Sequence, residues 1–327
     1  MIKGVSYQMK FKKYCSKLHW WSKEKILLFF KKVILFNKNL KIRYYEKRYF
    51  KEFGIKLSIK KPVTFYDKIN YLKFFSKEKN MVDYTDKIKA KKIAGSFGEN
   101  IRVAKLLKVF SSFKEFAEWT HSMDNLDSEC VIKTNNGSGA VYFVTKGSDK
   151  KPIIRDKHGK SCDRIGMLKA IKRSLHTNWY YQEFESNYKK IKPAVFVEEY
   201  FSTMSDVGLN EYKFFCNYGE VKLVNVVYNR QDDDNLEEVF TDELLNPLGA
   251  YQKRKIIEKR DIIKPRHFNE MIEFASHFSK DFPFLRVDLL CDDDSCYFCE
   301  FTFYDFGGFS CFYPENENKR LGDLFVI

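Results

Sequence analysis

The chain has 327 residues, 44% of them hydrophobic and 17% aromatic, which excludes an intrinsically disordered protein and leaves room for a core divided over two or three subdomains. Its net charge of +14 suggests nucleic acid only until the charge is mapped. Residues 1–61 carry 18 Lys or Arg against Glu24, Glu46 and Glu52, leaving 40 basic and 41 acidic residues beyond them. The charge therefore belongs to one end, no nucleic-acid-binding module accompanies it, and nucleic acid is not expected as a partner.

That end mixes lysine with bulky apolar groups, as in HWWSKEKILLFFKKVILF (His19–Phe36). Its apolar run, Ile26 to Phe36, is broken by Lys31 and Lys32 and is too short to span a bilayer. No small-residue cleavage site follows, so a secretory signal is not expected. Two readings stay open: an interfacial helix on an anionic membrane surface, or an amphipathic helix packed on the body with its lysine heads in water. Residues 10–58 read as one or two such helices with basic faces.

Next, PVTFYDKINYLKFF (Pro62–Phe75) predicts a helix capped by Thr64, with Asp67 as the reciprocal capping residue. A second helix is expected from Asp83–Asp86 through Lys87 to a stop at Gly95, then a short strand near Ile101–Ala104 and a helix at Phe113–Trp119. From Cys130 the period shortens. CVIK is a strand, TNNGSGA a turn-forming loop and VYFVTK a second strand. A helix over Arg164–Ser174, the aromatic loop HTNWYYQEFESNYKKIKP, the strand PAVFVEEYF, a hairpin around Asn217–Gly219 and a helix over His267–Phe278 follow. This order is α+β with mostly antiparallel strands.

The last hairpin, LRVDLLCDDDSCYFCEFTFY (Leu285–Tyr304), carries the strongest chemical signal. Arg286, Asp288, Glu300 and Thr302 share one face if the loop is odd-length, and Asp288 then lies across from Glu300. Facing carboxylates repel unless a hard cation such as Mg²⁺ lies between them; the plain alternative is a solvated acidic hairpin. Lys133 followed by Asn136, Gly137, Ser138 and Gly139 fits a backbone closing over phosphate as well as it fits a hairpin turn. Lys87 stands at a helix start, Glu198 and Glu199 at a strand end within reach of a ribose hydroxyl, and Lys213 alternates with aromatics on a strand; each also has an ordinary solvated reading. Eight cysteines form no secreted-type framework. The spacing of Cys291, Cys296 and Cys299 is iron–sulfur-like, but a hairpin points the last two apart. Reduced cysteines and a cytoplasmic location are expected.

These pieces occur in the order found in the ATP-grasp superfamily, and the last hairpin is similar to the R-[IV]-D…L-E-x-N segment of D-alanine–D-alanine ligases. More closely, about four-fifths of the chain resembles the TupA-like ATP-grasp family of surface-polysaccharide gene clusters, in TFYDKINYLKFF, TDKIKAKK, VIKTNNGSGA, YKKIKPAVFVEEYF, EYKFFCNYGE, DFPFLRVDLL and CEFTFYDFGGF. The resemblance implies two α+β subdomains clamping ATP behind a basic helical segment at 1–61: a linking part at 62–130, a small lobe with a glycine-rich lid at 131–200 and a large lobe with the metal hairpin at 201–327.

It also implies roles. Lys87 and Lys133 would contact ATP phosphates, with Asn136–Gly139 as the lid over them; Lys213, from its strand position, is a further candidate for reaching a phosphate. Backbone near Glu198, Glu199 and Tyr200 would bind adenine. Asp288 and Glu300 would hold Mg²⁺ beside Thr302, which replaces the usual asparagine. Arg286, with Lys133, would act on the transferring phosphoryl group. The implied activity is an ATP-dependent carboxylate–amine ligase acting through an acylphosphate, joining an amino acid or amine to a uronic-acid-type sugar of a capsule, O-antigen or cell-wall polymer. The basic end would hold it at the inner membrane face, near lipid-linked glycan.

Two other readings compete. Asp232/Asp234 and Asp292/Asp294 are Asp-x-Asp pairs of the kind a sugar-nucleotide glycosyltransferase uses, although both sit in apparent turns where Asp is favoured locally. Thr302 in place of asparagine suits a non-catalytic nucleotide-binding protein.

Overall fold

The computed structural model describes residues 37–98, 100–125, 128–147, 151–201, 210–229, 235–252, 262, 264–292 and 295–327. The run His19–Phe36 and the residues Asp232, Asp234, Asp293 and Asp294 lie outside them, and with them the membrane-surface and most of the Asp-x-Asp expectations.

Helices begin where the sequence supplies caps. Asn37 accepts hydrogen bonds from the backbone of Asn39 and Leu40 to start α1 (Lys38–Phe53), and Gly54, at φ 70°, ends it. Thr64 and Asp67 form the expected capping box on α2 (Phe65–Phe75). The Asp67 carboxylate also accepts from Ser58 N, which ties the preceding loop to the helix. After the short α3 (Met81–Thr85), Asp86 caps α4 (Lys87–Ala94) by accepting from Ile88 N.

The chain continues through β1 (Ile101–Val103), β2 (Leu106–Phe110), α5 (Phe113–Trp119), β3 (Cys130–Thr134), β4 (Val141–Lys146), β5 (Pro152–Asp156), α6 (Arg164–His176), α7 (Trp179–Glu183) and β6 (Val195–Glu199). It ends with β7 (Asn210–Asn217), β8 (Glu220–Tyr228), β9 (Glu237–Thr241), α8 (Phe268–Ser279), β10 (Leu285–Cys291), β11 (Cys296–Thr302) and α9 (Glu317–Gly322). A six-stranded sheet runs β1-β11-β10-β7-β8-β9 and a five-stranded sheet runs β2-β6-β3-β4-β5. β1 pairs with β11 in parallel; every other pairing among the described residues is antiparallel. Only Ala104 and Lys105 separate β1 from β2, so the chain crosses there from the larger sheet to the smaller.

Each face of the larger sheet has its own job, set by alternation along β7. Tyr212 and Phe214 pack on Phe268 of α8, whose buried Phe268, Met271, Phe274, Ala275 and Phe278 form one helical stripe. Glu211, Lys213 and Phe215 point to the opposite face. There Lys213 pairs in register with Asp288 and Phe215 with Arg286, so the site face is polar down its middle.

The basic helix α1 is part of the body. Ile42, Tyr45 and Tyr49 are buried in the core of the larger lobe. Tyr45 OH donates to Gly307 O, Tyr49 OH to Ser310 O, and Arg48 pairs with Glu183 at 2.5 Å. Of the two readings left open for the N-terminal segment, packing on the body holds for residues 38–53.

Candidate active site

Asp288 and Glu300 are direct cross-strand partners on β10 and β11. The odd loop that this pairing requires is not in the turn: Cys291 pairs with Cys296, leaving a four-residue turn. The extra residue is a bulge at Cys299, because Leu289 pairs with Phe298 and Asp288 with Glu300. The bulge restores the parity, so Arg286, Asp288, Glu300 and Thr302 share a face as expected. Asp292 accepts from Ser295 N, a local turn contact of the kind that makes Asp common there. Cys291 and Cys296, with Cα atoms 4.3 Å apart, form a disulfide, which corrects the expectation that every cysteine is reduced. Direct cross-strand pairing brings these two side chains together.

Arg286 organises the carboxylates. Its guanidinium grips Asp288 in a fork, Nε to Oδ1 and Nη2 to Oδ2, both at 2.7 Å. Nη1 donates to Asp305 Oδ1, and Nη2 lies 3.3 Å from Thr302 Oγ1 and 3.7 Å from Glu300 Oε1. Asp305 is held in turn by Tyr66 OH and Gln252 Nε2. Burial opposes the Arg286 charge, but Asp288 and Asp305 hold its pKa well above the ordinary value. Burial pushes Asp288 up despite Arg286, so this carboxylate has less positive charge around it than its burial demands.

The other half of the site hangs on α4. Lys87 Nζ lies 2.5 Å from Glu300 Oε2 in the larger sheet. One turn later, Lys91 Nζ lies 2.8 Å from Glu198 Oε2 in the smaller sheet, and Lys133 Nζ of β3 meets Glu198 Oε1 at 2.5 Å. Lys133 and Glu198 face the same side of neighbouring strands as diagonal partners. Lys91 and Glu198 are 7% and 3% exposed, so the three groups form a largely buried triad. Burial raises the Glu198 pKa, yet Lys133 and Lys91 outweigh it and hold the group below its ordinary value. Lys91 is the member of this cluster that sequence reasoning did not single out; its signal was the one-turn spacing from Lys87.

The glycine loop is anchored at its base. Asn135 bridges three segments: Nδ2 donates to Asp86 Oδ1 and Lys192 O, and Oδ1 accepts from Ala194 N. Lys87 N donates to Asn135 O, so the α4 cap and the base of the loop are joined directly. Asn136 turns its amide to Thr177 O and Ser174 O at the end of α6. Gly137 has no room for a side chain, since a Cβ there would lie 2.5 Å from Trp179 Nε1. Gly139 adopts φ +105°, which favours glycine. Ser138 is exposed.

The remaining expected residues are dispersed around this centre. Glu199 N donates to Lys105 O at the sheet crossover, and Tyr200 packs edge-on against Phe143. Lys213 stands in register beside Asp288 and 3.5 Å from Glu211.

Among the described residues, no three His, Cys, Asp or Glu side chains converge as a preformed metal cage. Mg²⁺ does not need one, because it is commonly held by one or two carboxylates together with substrate phosphates and water. The facing Asp288 and Glu300, with the Thr302 hydroxyl 3.4 Å from Glu300 Oε1, supply that kind of donor set. Lys87 and Arg286 are the counter-charges standing there.

Over residues 67–326 the chain matches the family described as TupA-like ATPgrasp. The protein belongs to the TupA-like ATP-grasp family. ATP with Mg²⁺ is the cofactor pair of ATP-grasp ligases, in agreement with the sequence expectation. No curated protein sequence matches the chain. Solved structures similar to it include the D-alanine–D-alanine ligase of Bacillus anthracis, with 16% identity and a TM-score of 0.36 over 74% of this chain and 65% of that one. The same ligase from Helicobacter pylori has 13% identity and a TM-score of 0.36 over 75% and 61%. The ATP-grasp ligase PsnB complexed with minimal precursor, Mg and ADP has 12% identity and a TM-score of 0.32 over 69% and 52%. The chain thus spans between about half and two-thirds of the length of these structures, and its family assignment does not rest on them.

Proposed function

We propose that this TupA-like ATP-grasp protein is an ATP-dependent carboxylate–amine ligase that activates a carboxylate as an acylphosphate and passes it to an amine, with ADP and phosphate as co-products. The observation that carries this reading is the meeting at α4 of two charge systems. Glu198–Lys91–Lys133 belongs to one sheet and Asp288–Glu300–Arg286 to the other, with Lys87 reaching the second from the same helix.

Each group has a defined part. Lys87, Lys91 and Lys133 are held in place by carboxylates before any anion arrives, so little reorganisation is needed when phosphates enter. Bound between Asp288 and Glu300, Mg²⁺ would neutralise phosphate charge. Arg286, fixed on two sides by Asp288 and Asp305, presents a rigid cation toward the developing negative charge of the acyl transfer. The loop Asn136–Gly139, hinged on the Asn135 bridge, would close over the nucleotide and exclude water that hydrolyses an acylphosphate. Glu198, Glu199 and Tyr200 belong on this reading to the adenosine side, and Lys213 to the phosphate side.

A uronic-acid-type sugar of a capsule, O-antigen or cell-wall polymer as carboxylate, and an amino acid or amine as its partner, are the substrates we propose. The basic aromatic stretch within residues 1–36 supports work near lipid-linked glycan at an anionic membrane surface.

The test is release of ADP from Mg²⁺-ATP across pairs of uronic acids and amino acids or amines. ADP formation that requires both members of a pair supports the ligase reading. ATP binding without ADP release from any pair would favour the non-catalytic alternative, and stabilisation by a UDP- or CMP-sugar alone would favour glycosyl transfer.

A further inference from the structure

Arg286 is held from two sides, and the two holds differ. On one side Asp288 Oδ1 and Oδ2 accept from its Nε and Nη2, both at 2.7 Å. Asp288 is also a carboxylate proposed for Mg²⁺, so this hold is shared with the cation whenever the site is loaded. A carboxylate that turns lone pairs to a metal has fewer left for a bidentate fork. On the other side Nη1 donates to Asp305 Oδ1. Asp305 is enclosed by protein instead: its Oδ2 accepts from Tyr66 OH at 2.5 Å and from Gln252 Nε2 at 3.1 Å.

Tyr66 and Gln252 are themselves fixed. With Asp305, they are no more than 2% exposed, and Gln252 Nε2 also donates to the Tyr66 oxygen at 2.5 Å. Tyr66 sits in the first turn of α2, its ring against Phe65 and Phe312. Gln252 follows Tyr251, which exchanges two backbone hydrogen bonds with Tyr313 and stacks on its ring. The amide faces Asp305 in one sense only, because its oxygen turned that way would oppose a carboxylate. Gln252 Oε1 is then buried with no protein donor among the described residues. An apolar side chain of similar size would avoid that cost, so packing alone does not call for glutamine here.

The turn after Asp305 is clamped from behind as well. Phe306, Gly307 and Gly308 adopt φ of 47°, 63° and 76°. Tyr45 OH and Lys73 Nζ donate to Gly307 O at 2.9 and 2.6 Å, and Asn70 Nδ2 to Gly308 O at 2.8 Å. A Cβ at Gly307 would lie 3.3 Å from Glu185 Oε1, and one at Gly308 2.5 Å from Asn70 Oδ1. Backbone in this sparsely populated region persists only where its surroundings over-determine it. Helices α1 and α2 supply those surroundings, so Asp305 ends a strut that runs from them to the guanidinium.

We propose that Tyr66 and Gln252 are positioning residues for phosphoryl transfer: acting through Asp305, they fix the place from which Arg286 meets the transferring group, and keep it there when Asp288 turns to Mg²⁺. The assignment rests on the ligase reading for its purpose. It divides the two holds on Arg286, one answering to the metal and the other to the fold.

The test is calorimetric titration of the full chain with Mg²⁺-ADP, and with Mg²⁺-ADP plus aluminium fluoride as a mimic of the transferring phosphoryl group. Tyr66→Phe and Gln252→Met delete contacts to Asp305 and keep most of the volume. Each is expected to weaken the fluoride complex roughly tenfold and ADP alone less than about twofold, because ADP lacks the group that Arg286 meets. In an Arg286→Met background the same substitutions should change neither affinity, since their effect passes through Arg286. Melting transitions report folding, and either variant decides the matter if the other does not fold. Equal effects on ADP and on the fluoride complex overturn the proposal, as does a Tyr66→Phe effect that persists without Arg286. A native chain that binds ADP with no gain from fluoride overturns it too, by removing the role of Arg286. A native chain that binds neither sinks the ligase reading itself, and the proposal with it.

Discussion

Lys87 and Lys91 stand one turn apart on α4 and serve different sheets: the first is 2.5 Å from Glu300 of β11, the second 2.8 Å from Glu198 of β6. One short helix therefore holds both halves of the site in register. Its start is fixed by Asp86 and its neighbour Asn135, so the glycine loop shares the same anchor.

Lys91→Met removes one cation from a triad in which Glu198 is almost wholly buried. Breaking a buried pair by deleting one partner costs roughly 3–5 kcal/mol. We expect a loss toward the lower end of that range, because Lys133 still neutralises Glu198. Urea unfolding of the variant measures it, and Lys91→Arg should recover most of the loss.

The same triad fixes a pH dependence. Glu198 is held below its ordinary value of 4.5 by Lys133 and Lys91 acting against burial. A depressed carboxylate contributes stability that is fully present above the unfolded pKa and disappears as pH falls through the folded one. The melting temperature should therefore drop as pH is lowered below about 4.5. In Glu198→Gln that part of the slope should vanish.

Glu185 has the opposite sign. Its raised pKa, to about 8, makes ionisation unfavourable in the fold, a penalty absent below the unfolded pKa, growing up to about pH 8 and constant above it. Glu185→Gln should thus raise the melting temperature at pH 8 more than at pH 5. A residue that destabilises its own fold is the pattern of a functional group.

Gly137→Ala places a methyl against the Trp179 indole. We expect the loop to shift and ligase turnover to fall, on the order of 10²-fold for a displacement near 1 Å, with Trp fluorescence reporting the movement. Unchanged turnover would show that this contact does not set the loop's position.

The N-terminal proposal is tested by where the chain is cut. Removing residues 1–36 should abolish binding to anionic liposomes and leave the body folded. Removing residues 1–60 should unfold it as well, because Tyr45 and Tyr49 of α1 are buried. Liposome binding that survives loss of residues 1–36 contradicts the membrane role.

Much of this was legible in local chemistry. The Thr64–Asp67 box, the Asp86 cap, the Asn217–Gly219 hairpin and the Asp288–Glu300 pairing all follow from short-range rules. What could not be read were relationships between segments far apart in sequence. Lys91 looks like any solvated helix lysine until β6 is brought beside it. Lys73 looks the same until Gly307, more than two hundred residues away, closes over it. The Cys299 bulge was hidden because a bulge and an odd turn give the same parity. The disulfide was missed because Cys291 and Cys296 become direct partners only when the turn has four residues.

The most direct measurement is the melting temperature of the full chain with Mg²⁺ plus ATP, ADP, UDP-glucose or a CMP-sugar, repeated for Lys133→Ala and Glu300→Gln. A ligand at a hundredfold excess over its dissociation constant stabilises the native state by about 2.7 kcal/mol. Stabilisation by ATP and ADP alone, lost in both variants, is what the account predicts. Stabilisation by a sugar nucleotide but not by ATP, or an ATP response unchanged in both variants, would contradict it.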